Sequence, residues 1–232
     1  MVKEGYWFGL PPLVAGGVLL GFRTSLGVTI GALLVFLALF VFYFFRNPDR
    51  KIPMEPGAVV SPGDGRVVVV KDEDNAGRPG KRVSIFLAIW NVHINRSPAA
   101  GTITKLEYRP GKFMVAMNER ASVENEQNVF TLSTDAGEMV FKQIAGLIAR
   151  RVVSWKKEGD QVARGERIGL MRFSSRMDLW VPKEAEVVAK VGDHVQGGTS
   201  VLARWPLRTA ETLSDRPGAA AAANLTATGK RS

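Results

Sequence analysis

The chain contains no cysteine and only two histidines, His93 and His194. The first absence excludes disulfides and thiolate metal sites, and the second excludes a histidine-rich metal centre, so no metal is expected. Acidic residues are also few. Lys and Arg total 31 against 22 Asp and Glu, a formal net charge of +9. Such a balance suits either nucleic acid or an anionic lipid surface, and the location of the charge decides between them. The sequence shows no aromatic–basic interleaving of the kind that stacks bases, so no nucleic-acid partner is expected.

Charge is missing altogether from Leu26 to Phe45, a run of 20 residues. A helix of that length spans about 30 Å, the thickness of a bilayer core. Tyr6 to Phe22 is likewise uncharged, interrupted by Pro11-Pro12, and Arg23-Thr24-Ser25 separates the two runs. The pattern predicts a membrane anchor over residues 1–46, either one transmembrane helix or a helical hairpin. No small-residue cleavage site follows, which argues against a signal peptide. Arg46, Arg50 and Lys51 come next. Basic flanks face the cytoplasm, so the rest of the chain is expected on the cytoplasmic face of the cell membrane, with these three charges toward anionic headgroups.

After Pro48, Pro53 and Pro56 the texture changes to short β-rich runs separated by turns. Arg66 to Val70 is entered through Pro62-Gly63-Asp64-Gly65, and Val83 to Trp90 is a continuous apolar run. Gly101 to Tyr108, Asn128 to Ser133, Met139 to Ile144 and Leu147 to Trp155 follow as strands, with a short helix over Met114 to Ala121. This predicts a mostly β domain over residues 47–205, a sandwich or partly closed barrel. Lys157 to Gly165 and Lys190 to Gly198 share the pattern Lys-x-Gly-Asp-x-Val-x-x-Gly. That repeat resembles the hairpin units of lipoyl- and biotinyl-type β-sandwiches and predicts paired hairpins around the strand that holds Ser175. Residues 206–232 have few large apolar residues and read as a disordered tail.

The stretch Arg172-Phe173-Ser174-Ser175-Arg176-Met177-Asp178 places two adjacent hydroxyls inside a strand pattern. Other motifs precede it in order. They are Phe45-Arg46-Asn47-Pro48-Asp49-Arg50, Ser61-Pro62-Gly63-Asp64-Gly65, Asn91-Val92-His93-Ile94-Asn95-Arg96-Ser97-Pro98, Asn118-Glu119-Arg120, and Gln143-Ile144-Ala145-Gly146-Leu147-Ile148-Ala149-Arg150-Arg151. Together they resemble the short-form phosphatidylserine decarboxylases, from about Phe45 to Pro182. The chain departs from that family in carrying Ser174 where Gly is usual. It also has Arg96 where the long form has a second His.

The resemblance implies self-cleavage between Ser174 and Ser175, leaving Ser175 as a pyruvoyl group. The chemistry is accessible to a serine. Its hydroxyl attacks the preceding carbonyl, elimination from the ester frees the upstream chain, and hydrolysis of the resulting imine releases ammonia. The ketone that remains can form a Schiff base with an amine and accept the electrons left by departing CO2, in place of pyridoxal phosphate. On this reading the covalent pyruvoyl is the cofactor. Phosphatidylserine in the membrane is the substrate, and chains 1–174 and 175–232 stay together as a heterodimer. The resemblance further implies His93 and Asp64 as catalytic partners of Ser175 in a charge-relay arrangement. Arg96 and Arg176 are candidates for the substrate's phosphate or carboxylate, because guanidinium forks suit those groups. An archaetidylserine decarboxylase, a membrane adaptor with a lipoyl-like domain and a lipoyl or biotinyl carrier remain as alternatives.

Overall fold

The computed structural model describes residues 1–147, 151–172 and 175–206. Helix α1 (Lys3–Gly21) and helix α2 (Ser25–Phe44) lead. Strands β1 (Ala58–Val60), β2 (Gly65–Asp72), β3 (Gly80–Leu87), β4 (Ile94–Arg96) and β5 (Gly101–Arg109) follow, then the one-turn α3 (Ala121–Glu124). The long hairpin of β6 (Gln127–Thr134) and β7 (Gly137–Ala145) comes next, before β8 (Val152–Ser154), β9 (Gln161–Val162) and β10 (Arg167–Met171). The last described elements are β11 (Ser175–Pro182), β12 (Glu186–Val187), β13 (His194–Val195) and β14 (Val201–Arg204).

The two helices form a hairpin. Thr24 caps α2 through its hydroxyl, which accepts from the Gly27 N–H. The contact between the helices is lined by glycine: a Cβ on Gly16 would meet the Gly31 carbonyl oxygen at 2.8 Å, and one on Gly31 would meet that of Gly16 at the same distance. Small residues let helix backbones approach this closely, the usual device where lipid removes the hydrophobic drive between helices. α1 runs on through Pro11 and Pro12 rather than breaking there. α2, with 20 residues, is the one described helix long and apolar enough to cross a bilayer.

The remainder is mostly β. Eight strands form one sheet in the order β13-β2-β3-β11-β7-β6-β5-β9, curled into a half-barrel, and two three-stranded sheets, β1-β14-β12 and β4-β10-β8, accompany it. β11 lies between β3 and β7, antiparallel to both. Alternation fixes what each face carries. Val83, Ile85 and Leu87 of β3 stand opposite Leu179, Met177 and Ser175 of β11, and Phe141, Gln143 and Ala145 of β7 complete the same rows. The apolar members of these rows are fully buried in the main core. Each large one contributes about 1.5–3 kcal/mol.

The repeated pattern yields a repeated turn. The Lys157 and Lys190 N–H groups each donate to the aspartate three residues on, at 3.0 and 2.8 Å. Gly159 and Gly192 take φ of +89° and +102°, and Gly165 and Gly198 take +75° and +79°, where a side chain would be strained. The two units do not pair with each other as expected. β9 pairs with β5 and β13 with β2, so they close opposite edges of the large sheet. The expected helix over Met114 to Ala121 is also displaced, to the single turn of α3, while Asn118 instead caps a bend by accepting from the Arg120 N–H at 3.0 Å. Residues 207–232 of the expected tail lie outside the described residues.

Candidate active site

Ser175 opens β11 in the inward row between Leu87 and Ala145. It is fully buried, and its hydroxyl has no hydrogen-bond partner among the described residues. Most buried polar atoms are bonded, so an orphan in a central strand needs a reason. Ser174, the other half of the expected cleavage pair, lies outside the described residues.

His93 is brought to the same region by β4. Its carbonyl accepts from the Met171 N–H at 3.1 Å, and only residues 172–174 separate Met171 from Ser175. Two residues on, Asn95 takes part in a buried amide chain: Gln143 donates to Asn95 at 2.7 Å, and Asn128 donates to Gln143 at 2.9 Å. Gln143 stands opposite Met177, so this chain ties the histidine segment to the inward face that carries Ser175. The imidazole is 2% exposed, with Nδ1 3.0 Å from the Asn91 carbonyl and Nε2 unpartnered among the described residues. A carbonyl only accepts, so the proton belongs on Nδ1 and the lone pair on Nε2. Burial pushes this histidine down to about 4, so it is neutral at physiological pH.

Asp64 does not orient His93. Its Oδ2 meets Arg50 Nη2 at 2.6 Å and its Oδ1 accepts from the Gly197 N–H at 2.8 Å, which engages both oxygens. Burial raises its carboxyl above the ordinary value, and the Gly197 and Arg50 contacts offset only part of that. Arg50 itself was expected to face headgroups. Instead its other nitrogen donates to Gln196 at 2.9 Å, and its side chain is 11% exposed.

Both candidate substrate arginines have other work. Arg96 donates to the Gly165 carbonyl at 2.8 Å and to the Pro48 carbonyl at 3.1 Å, holding the chain that leaves the helices against the repeat turn. Arg176 points to the opposite face of β11 from Ser175 and is 0% exposed. It bonds Asp178 and Ser84, each at 2.7 Å. Neither guanidinium is open to a phosphate. Asp178 also meets Arg82 at 3.2 Å, and Arg82 meets Glu73 at 2.9 Å. Burial alone would raise Asp178, but the Arg176 charge and the Ser122 and Ser84 hydroxyls outweigh it and hold the carboxyl below its ordinary value. His194 is exposed on β13 and lines a cavity of about 550 Å³ with Arg66, Phe86, Trp90 and Asn91.

Two features escaped the sequence reading. One is the Arg50–Asp64 pair, whose members fall in separate motifs 14 residues apart. The other is Phe44, read as part of the anchor, whose ring lies 4.3 Å from the imidazole of His93. Arg50 and Asp64 each lie in a quoted motif, but neither motif signals that they pair, and Phe44 lies in none of them.

Ser175 thus offers a buried hydroxyl and His93 a neutral imidazole with a lone pair on Nε2, each atom without a hydrogen-bond partner among the described residues. Residues 37–203 match the family described as phosphatidylserine decarboxylase. A phosphatidylserine decarboxylase proenzyme of Solibacter usitatus is 52% identical over 171 residues, 74% of this chain and 81% of the relative. One from Symbiobacterium thermophilum is 46% identical over 210 residues, 89% and 96% of the two chains. One from Neisseria meningitidis serogroup B is 41% identical over 219 residues, 93% and 81%. The chain belongs to the phosphatidylserine decarboxylase family, and its enzyme class is that of the carboxy-lyases.

Proposed function

We propose that this chain decarboxylates phosphatidylserine to phosphatidylethanolamine after cutting itself between Ser174 and Ser175. The observation that carries the proposal is the unpartnered, fully buried Ser175 hydroxyl at the first residue of the central strand. The site suits a pyruvoyl group made from that serine, which supplies an electron sink for decarboxylation. The other steps fall to the chain's own side chains. The Ser175 hydroxyl attacks the carbonyl before it. His93 Nε2 accepts a proton there, and later holds one for the carbon that loses CO2. Asp64 contributes through Arg50 and Gly197, by fixing the turn from Ser61 to Gly65.

The membrane placement rests on α2 and on Arg46, which stacks over Tyr43 at 3.9 Å, an arrangement suited to an interface. The β domain then lies on the cytoplasmic face. After the cut, β11 stays between β3 and β7, paired over eight and six positions respectively, so the 1–174 and 175–232 chains remain one body.

The test is the intact mass of the purified protein. Two chains are expected, the smaller starting at residue 175, resistant to Edman degradation and trapped by borohydride in the presence of an amine substrate. Ser174→Ala should still cut at the same bond, because that residue lends only its carbonyl. A cut that survives Ser175→Ala but not Ser174→Ala moves the site by one residue, and a chain that is always intact ends the proposal.

A further inference from the structure

The anchor makes closer contact with the domain than tethering requires. Thirteen residues, 45–57, join α2 to β1, enough to leave the helices loosely attached. Instead, Val41, Phe44 and Phe45 share a buried cluster with Val92, Ile94 and Leu170, the residues that flank His93 and enter the cleavage segment. A row of rings runs through it. Phe44 is 1% exposed and lies against the His93 imidazole at 4.3 Å. Phe45 meets Phe44 edge-on at 5.0 Å and stacks with Phe8 of α1 at 5.9 Å. The guanidinium of Arg172 sits over Phe8 at 5.1 Å. Arg172 is three residues before Ser175. The helical hairpin therefore touches the imidazole at one end of the row and the approach to the cleavage segment at the other. Elsewhere α2 looks outward, with Phe36 72% and Leu33 63% exposed.

Resting on the function proposed above, we infer that the hairpin is part of the active site. Phe44 is a positioning residue that seats His93, and Phe8 is one that holds Arg172 and with it the strand end entering the cut. The physical reason is solvent exclusion. The imidazole lies against the Phe44 ring and bonds the Asn91 carbonyl, and the charge that acts on it is Arg46, just past the end of α2, which works in the same direction as burial, against protonation. With the Phe44 ring gone, water reaches the imidazole and the ring can turn.

The experiment uses the full-length enzyme in detergent micelles. With only two histidines in the chain, 15N-histidine labelling gives two sets of ring signals, and His194→Asn assigns them. In the wild type His93 should stay neutral down to about pH 4. Phe44→Ala should raise its midpoint by about one pH unit or more and lower kcat roughly 10- to 100-fold with little change in KM. Phe44→Leu should retain most of both, which guards against a merely misfolded Ala variant. Phe8→Ala should slow appearance of the cut chains, read by intact mass, without moving the His93 signal. Phe36→Leu, on the exposed side of α2, should change none of these. If Phe44→Ala and Phe44→Leu leave the His93 midpoint and kcat within twofold of wild type, or lose activity only in proportion to protein lost from the membrane fraction, the hairpin is a tether and the inference is wrong. A wild-type chain that neither cuts nor releases CO2 overturns the function instead, while the His93 midpoint still reports on the seating.

Discussion

The two faces of β11 are equally buried and chemically opposite. On one, Arg176 and Asp178 are 0% and 2% exposed, yet every charge has a partner in Ser84, Arg82 or each other. On the other, Ser175 is just as deeply placed among apolar neighbours and has no partner among the described residues, and the same is true of Nε2 of His93. Buried polar groups that satisfy one another rigidify a fold. Groups left unsatisfied stay available, at a standing cost of about 1–3 kcal/mol each. On the proposed chemistry, the paired charges hold the strand, while Ser175 and His93 act from it.

The largest effect expected is that of Ser175→Ala. It should leave a single uncut chain and no CO2 release from phosphatidylserine, yet melt at or slightly above the wild-type temperature, because an unpaired hydroxyl is lost. A marked drop in melting temperature would mean that the hydroxyl was bonded after all, and the contrast between the faces would fail. Next is His93→Asn. Turnover of any enzyme that still processes itself should fall about 10²–10⁴-fold, as expected for loss of a general acid or base, measured as CO2 release. Turnover within a few-fold of wild type would remove His93 from the reaction.

Arg176→Met tests the other face. Removing one partner of a buried pair should cost about 3–5 kcal/mol in denaturant unfolding, and adding Asp178→Leu should restore most of it. Unchanged stability with a raised KM would instead make Arg176 a substrate ligand. The fourth expectation concerns pH. His93 titrates ordinarily near 6.5 and is pushed to about 4 by burial. Between those values the unfolded chain takes up a proton that the folded chain refuses. The stability contributed by neutral His93 is therefore complete above pH 6.5 and lost as pH falls toward 4, about 3 kcal/mol in all. Unfolding curves at stepped pH should show this slope, and His93→Asn should flatten it.

Much of this was readable from the sequence where the signal is local. Val83 to Leu87 announce a strand by their continuous apolar run, and the repeated Gly-Asp turns show in their spacing. Ser175 and His93 were singled out through motifs. The pairing of distant segments was not readable. Nothing local says that β9 joins β5 while β13 joins β2, or that Arg50 closes on Asp64 rather than on lipid. The internal bonds of Arg96 and Arg176 were not readable either: guanidinium chemistry is visible in a sequence, but burial is decided by which face of which strand carries the residue, and that needs the fold. Phe44 was hidden by its own context, since an aromatic at the end of an apolar helix reads equally well as a membrane-interface residue.

The position of Ser175 at the head of β11 has a consequence for how the protein matures. Its neighbours β3 and β7 come from separate parts of the chain, and β2 and β13 must meet before the far edge is complete. The hydroxyl gains its dry surroundings only when these long-range pairings have formed, which is the slow part of assembling such a sheet. On the proposed chemistry the cut thus becomes a timestamp. A molecule that stalls with β11 unpaired keeps its peptide bond, and the fraction of chains already divided counts those that finished folding.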